Sequence, residues 1–474
     1  MENRESSLRI GWASRDVTPY GRKVDLAGQF RMRITDVVND PLTVTALTIS
    51  SGDTAADTVV FISCDISVIP VYLIEEAQEN IRDRSPSFPL DSLIFNATHT
   101  HAAPNIRDAI HDYDALPPTE RENLMVPAEY RAFLAAHIAD AALESWEGRT
   151  AGRLAWGFGH AVVGHNRRTS YLEDFAEQEF PGQKIERNAR MYGKTDDPSF
   201  SHVEGHEDHS VQFLYTFDPD GRLTGAIINV PCPSQVTESW SRMSADYWHD
   251  TREAIRKVHG EDVFLLPQCS AAGDQSPHLQ LHKAAEARML ALKEEGRGEE
   301  FDFNLAQRRE IGRRIEAAFS EVLPWARKDM RDDAAVRHVT KTADLTRRMV
   351  SKEEHARNVS WMAMLKAKDD SHSETLLNRC QAVVDKYEEQ DEAPTFAMEN
   401  HVVRLGDIAF VTNPFELFLD YGVRVRARGP AIQTFVMQLV GSRTGTKDDH
   451  PGRFPRRGGT YLPTARAEAG GGYS

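Results

Sequence analysis

Apolar residues in this chain fall into short continuous runs, separated by stretches with helical spacing. Residues 59–64 form a β-branched and aromatic run that stops at Asp65, and residues 92–95 form a second that stops at Asn-Ala-Thr-His-Thr-His. Between them, the apolar positions of 71–83 recur at helical intervals. The pattern predicts a strand–helix–strand unit, and with it a parallel or mixed sheet. Residues 128–147 predict an amphipathic helix and 152–158 a strand, whereas the polar stretch 170–206 reads as a long surface loop. Two alternating runs, 211–217 and 223–230, flank the turn Asp218-Pro-Asp-Gly221 and predict a hairpin. A buried strand at 263–266 leads towards Gly273-Asp-Gln-Ser-Pro277, and helices are expected at 281–295, 303–328 and, in a charge-rich block, 351–388. Strands return at 402–405, 408–412 and 434–440, with Asn413-Pro-Phe-Glu416 opening a helix. No internal repeat is visible. Residues 441–459, rich in Gly, Arg and Lys, are expected to be a mobile loop. The expectation is an α/β fold, a mixed sheet with flanking helices, as one domain over 1–474 with 351–388 inserted as helices.

Composition narrows the partners. At 474 residues the chain is long for one simple core, and its formal net charge is -16. That balance repels phosphate backbones and anionic lipid surfaces, so nucleic acid is not an expected partner. No stretch approaches the roughly 18 consecutive apolar residues of a membrane span, and no secretory signal opens the sequence. The four cysteines, Cys64, Cys232, Cys269 and Cys380, match neither a paired zinc knuckle nor a disulfide framework. The expectation is a reduced, cytoplasmic protein without an integral membrane segment, acting on a small molecule, with a homo-oligomer left open.

Several strand ends carry chemistry. Thr98-His-Thr-His101 places two imidazoles two residues apart. In an extended segment His99 and His101 project to one side, which suits shared metal binding or a ligand beside an acid–base group. Histidines in a polar loop are the plain alternative. In Gly273-Asp-Gln-Ser-Pro277, small residues let the backbone turn sharply, making Ser276 a candidate nucleophile or orienting hydroxyl. Asp274 is a catalytic candidate or simply caps the turn. Glu416, read into the first turn of a helix, suits either the helix dipole or a metal. Cys232 is a small buried hydrophobe or, as thiolate, a zinc ligand.

Taken in order, these pieces resemble the neutral (alkaline, non-lysosomal) ceramidase family. The likeness rests on Asp16-Val-Thr-Pro19, Leu26-Ala-Gly28, Asp40-Pro-Leu42, Thr98-His-Thr-His-Ala-Ala-Pro104, His165-Asn-Arg167, Gly273-Asp-Gln-Ser-Pro277, Pro414-Phe-Glu416 and the tyrosine-bearing tail at Tyr461. The resemblance implies one zinc ion per chain, ligated by His99, Glu416 and Tyr461. It places His101 beside the metal-bound water, Ser276 facing the substrate carbonyl, and Arg167 on the substrate or oxyanion. The family's remaining ligand sits in a His-Pro pair. Here that pair is Cys232-Pro233, so Cys232 or His209 is expected to replace it. Nitrogen, oxygen and sulfur donors permit several divalent ions.

Neither the family's C-terminal immunoglobulin-like domain nor its membrane-facing location is expected here. The resemblance therefore implies metal-assisted amide hydrolysis on a substrate other than membrane ceramide. Two rivals remain: an enzyme acting on a sugar or other small polar substrate through carboxylates such as Asp65, Asp274 and Glu416, and a binding protein that has lost its chemistry.

Overall fold

The computed structural model describes residues 8–29, 31–107, 111, 113–173, 188–298, 300–346, 348–366, 371–392, 394–442 and 461–462. Among them, three sheets repeat a single chain path. The first contains β1 (Arg9–Asp16), β2 (Thr43–Ser50), β3 (Thr58–Cys64) and, after helix α1 (Val71–Arg84), β4 (Leu93–Ala97). β1 and β3 both pair antiparallel with β2, whereas β4 pairs parallel with β3 across the helical crossover. Helix α2 (Pro127–Glu147) then leads to the second sheet. It contains β5 (Arg153–His160), β6 (Ser210–Phe217), β7 (Leu223–Val230), α3 (Tyr247–His259) and β8 (Phe264–Cys269), paired in the same way. Helices α4 (Lys283–Glu294) and α5 (Phe303–Ala326) follow.

The third sheet contains β9 (Val336–Thr346), then α6 (Lys352–Leu365) and α7 (Ser371–Glu389) as a helical pair. It continues with β10 (Thr395–Leu405), β11 (Ile408–Thr412), α8 (Leu419–Arg428) and β12 (Gln433–Met437). A repeat invisible in the sequence is thus present in the topology. Packing requires only apolar alternation in each copy, which different side chains satisfy.

One face of each sheet turns inward onto a common core. Phe61 and Ile94 meet Leu214, Leu266, Phe410 and Phe435 there. The rings of Phe61 and Phe410 lie 4.9 Å apart, and those of Phe410 and Phe435 lie 4.3 Å apart. The outer face of the first sheet packs on α1 and α2, that of the second on α3 and α5. Every residue of β3 is buried, which explains its unbroken rather than alternating apolar run. Asp246 accepts a hydrogen bond from the Tyr247 amide, and Asp302 accepts from the Asn304 and Leu305 amides, so aspartates start α3 and α5.

This repetition collects loops at one end. In each sheet the third and fourth strands run parallel, so both release their C-termini on the same side, where α/β proteins place ligands. The three sets are stitched together: the Gln438 amide donates to Cys269 O (3.0 Å), Gly441 to Phe95 O (2.9 Å) and Gly273 to Leu417 O (2.6 Å). β9 runs in the direction of β11, so the α6–α7 pair leaves the sheet at this same end. No helix among the described residues is long and apolar enough to cross a membrane. The loop expected at 441–459 lies, from residue 443, outside the described residues.

Candidate active site

His99 follows β4 in a left-handed conformation, φ 64°, which costs a non-glycine residue about 1–2 kcal/mol. Its amide donates to Ile66 O (3.0 Å) and its Nδ1 lies 2.6 Å from Ser67 O. A carbonyl only accepts, so Nδ1 carries the proton and Nε2 presents a lone pair. That lone pair faces Glu416 Oε2 at 3.6 Å. The segment is therefore bent rather than extended, and the two imidazoles meet edge to face, 4.7 Å between centroids.

His101 completes the convergence. Its Nε2 lies 3.3 Å from His99 Nε2 and 2.9 Å from Gln235 Nε2. Arg167 Nη1 donates to Gln235 Oε1 (3.2 Å), which turns the amide N–H towards His101 and makes His101 Nε2 the acceptor. Burial holds the His101 imidazole well below its usual pKa, and neighbouring His99 and Arg167 push the same way. The His99 lone pair and a Glu416 carboxylate oxygen therefore face each other beside His101, whose Nε2 accepts from Gln235. A Cβ on Gly28, whose φ is 96°, would lie 2.3 Å from His101 Cγ. Glycine is required there for the ring to fit.

Glu416 was expected inside a helix. It lies instead in a short extended segment, Glu416–Leu417, paired in parallel with Tyr461–Leu462, and α8 begins only at Leu419. Pro414 and the Asn413 side chain, which accepts from the Phe415 amide (2.9 Å), hold the segment out of helical geometry. Arg167 Nη2 lies 3.9 Å from Glu416 Oε2 and donates to Gly273 O (2.9 Å), while Nη1 also donates to the Tyr192 hydroxyl (2.8 Å).

Ser276 is fully buried, in a two-residue ladder opposite His165, and its hydroxyl accepts from the His278 amide (3.1 Å). Asp274 accepts from the Leu419 amide (2.8 Å) and from Asn166 Nδ2 (3.2 Å), so it ties α8 to the Arg167 segment. Burial raises its pKa, and the Leu419 hydrogen bond opposes this.

No protein-family model matches the sequence, and no curated protein is significantly similar to it. Solved structures do match, two ceramidases among them. Neutral ceramidase from Pseudomonas aeruginosa aligns with a TM-score of 0.62 at 16% identity, over 92% of this chain and 68% of that one. A ceramidase complexed with C2 aligns with a TM-score of 0.61 at 16% identity, over 91% and 68%. The chain has a neutral-ceramidase-like fold. At this identity the likeness establishes architecture, and the chemistry must be argued from the residues.

On that ceramidase-like scaffold, donors fit a divalent cation in part. His99 Nε2 and Glu416 Oε2 face each other with the His99 tautomer fixed by Ser67 O, the usual support of a metal-binding imidazole. Tyr461 runs beside Glu416 in the paired backbone. Among the described residues, no three His, Cys, Asp or Glu side chains close a cage.

The two expected replacements for the family's other ligand have the following surroundings. Cys232 Sγ points to Pro233 O (3.4 Å) within the outer core of the second sheet. Its thiol is held well above the usual range, by burial first and Cys269 second, so it stays protonated. His209 Nε2 lies 3.3 Å from Glu207 Oε2, in a cluster with His165.

Four neighbours escaped the sequence reading: Gln235, Glu238, His278 and Tyr192. The first two follow Cys232-Pro233 closely, and His278 follows Ser276-Pro277, so proximity to strand ends was a usable signal. Tyr192 carried none, because it falls in 170–206, read as surface loop. That segment in fact forms strands Ala189–Met191 and Phe200–Val203 against Arg168–Tyr171. A separate cavity of about 350 Å³, lined by Trp156, Arg331, Arg337 and Arg404 among others, includes the Gly406–Asp407 turn at the other end of β11.

Proposed function

We propose that this chain is a hydrolase of ceramidase type that cleaves an amide bond of a small N-acyl substrate, with one divalent cation, zinc in the first instance, held by His99 and Glu416. The observation that carries this reading is that His99 Nε2, its tautomer set by Ser67 O, faces Glu416 Oε2 at 3.6 Å beside His101. A neutral imidazole nitrogen and a carboxylate oxygen so placed are donors that suit a divalent cation. When bound, such a cation supplies Lewis acidity towards a carbonyl and acidifies a water molecule.

The chain's own groups do the rest. His101, kept neutral by burial, takes the proton of the attacking water at Nε2 in exchange for the Gln235 hydrogen bond and returns it to the leaving amine. Arg167, locked by Gly273, Gln235 and Tyr192, offers its guanidinium to the developing oxyanion. Ser276 orients the substrate carbonyl. Of the three carboxylates a sugar-cleaving reading would use, two are engaged elsewhere, Asp65 with Arg252 and Thr43 and Asp274 with Leu419 and Asn166, which leaves Glu416 without a second carboxylate from that set. The test combines metal analysis of purified protein with hydrolysis assays on short N-acyl amides, for the wild type and H99A. Zinc bound by the wild type and lost together with turnover in H99A supports the reading, and undiminished turnover by metal-free protein overturns it.

A further inference from the structure

The α6–α7 pair is carried on the β9–β10 ribbon, which β11 flanks only along Val402–Leu405. Its helices pack on each other through Trp361, Leu365, Leu376 and Cys380, a small apolar cluster separate from the cores of the three sheets. With Trp361 and Leu365 buried in that cluster, the opposite side of α6 would ordinarily be charged. It is not. Ala356, Val359, Ser360, Ala363 and Met364 are all exposed, and their spacing of three and four residues places them on one face. Other polar groups of this stretch are drawn aside: Glu354 pairs with Arg348, His355 stacks on Tyr387, and the Arg357 guanidinium lies 5.6 Å from the Trp361 ring. Exposed charge stands only at the two ends, Lys352 and Glu353 before the stripe and Lys366 after it. On a chain of net charge -16, an exposed face this long without charge marks a contact surface.

The pattern is complementary to its own reverse. Laid antiparallel on a copy of itself, centred between Val359 and Ser360, the stripe sets Ala356 opposite the partner's Ala363 and Val359 opposite the partner's Ser360. The same register sets Glu353 opposite the partner's Lys366, and symmetry repeats this pair at the other end. Alanines at the contact let helix axes approach to about 8 Å, and opposite charges fix the register. A membrane surface would instead ask for a stripe rimmed by lysine and arginine. We propose that the exposed face of α6 is a homodimer interface, packing antiparallel on α6 of a second copy about a twofold axis. One helix pair is small beside the roughly 1,200 Å² at the lower end of stable interfaces. The association is therefore weak, with a Kd on the order of 10–100 μM. It is independent of the hydrolase reading.

Sedimentation velocity of the full chain at low salt, across about 1–300 μM, reads the association directly. Wild type is expected to pass from monomer to dimer within this range. A363E buries an unpaired charge twice per dimer and should remain monomeric throughout. E353K and K366E each set like charges together at both ends and should weaken dimerisation about tenfold. The double variant E353K/K366E restores opposite pairs and should recover the wild-type Kd to within about threefold. All of these positions are exposed, and thermal melts confirm that each variant is folded. If A363E fails to fold, the charge-reversal set carries the test by itself. A wild type that stays monomeric at about 300 μM, a dimer that persists in folded A363E, or a double variant as weak as the single ones overturns the proposal.

Discussion

The Nε2 atom of His99 lies 3.6 Å from Oε2 of Glu416. One residue follows the last strand of the first sheet and the other follows the third strand of the third sheet, so only the closing of three sheets around one core brings them together.

If that pair holds the cation, removing either donor removes it. Full-length H99A and E416Q should each lose bound zinc, and amide hydrolysis should fall by more than about 100-fold, beyond the loss typical of groups that only support a ligand. Elemental analysis beside the rate assay checks this, and the melting curve should still show a cooperative transition.

Gly28 tests the placement of His101. A methyl group there would press on the imidazole from 2.3 Å, at a backbone φ of 96°. G28A is expected to lower turnover by about 100-fold, the scale of a displacement near 1 Å in a catalytic group. Zinc content should change far less, because His99 is anchored separately by Ser67 O.

Arg167 is held through two terminal nitrogens by Gly273, Gln235 and Tyr192. Lysine keeps the charge but cannot span these acceptors. R167K should cost on the order of 10²–10³ in kcat with a smaller change in KM, the mark of an oxyanion contact.

Phe410 is fully buried where the first and third sheets meet. F410A should destabilise the fold by about 3–5 kcal/mol, read from chemical denaturation, and should lower the amount of folded enzyme rather than its specificity.

Glu310 gives a pH signature away from the site. Burial raises its pKa, but Arg313, Lys293 and Arg314 outweigh this and leave it lowered overall. A carboxylate with a depressed folded pKa contributes stability that is present above the unfolded value, about 4.3, and is lost as pH falls through the folded one. E310Q should therefore be less stable than wild type near neutral pH and show a flatter decline below pH ~4.5. Parallel acid limbs in the two melting profiles would remove Glu310 from the account.

Much of the architecture is legible in the sequence, since continuous apolar runs such as 58–64 and helical spacing at 71–84 follow from local burial patterns. Glu416 was readable as chemistry but not as conformation: its partner strand, Tyr461–Leu462, is 45 residues downstream by the pairing Glu416↔Tyr461, and no local signal reports such a pairing. His209 illustrates the reverse, a plausible donor by residue type that the fold engages with Glu207 instead.

By itself the chain's order of residues determined which segments are strands and helices, that histidines and a serine stand at strand ends, and which family the motifs resemble. Burial and turn formation act over a few neighbours, so they are written locally. The tertiary structure alone decided the threefold topology, the bent backbone at His99, and the gathering of Gln235, Glu238, His278 and Tyr192 around His101. Those contacts join residues far apart in the chain, and they exist only once the sheets share a core.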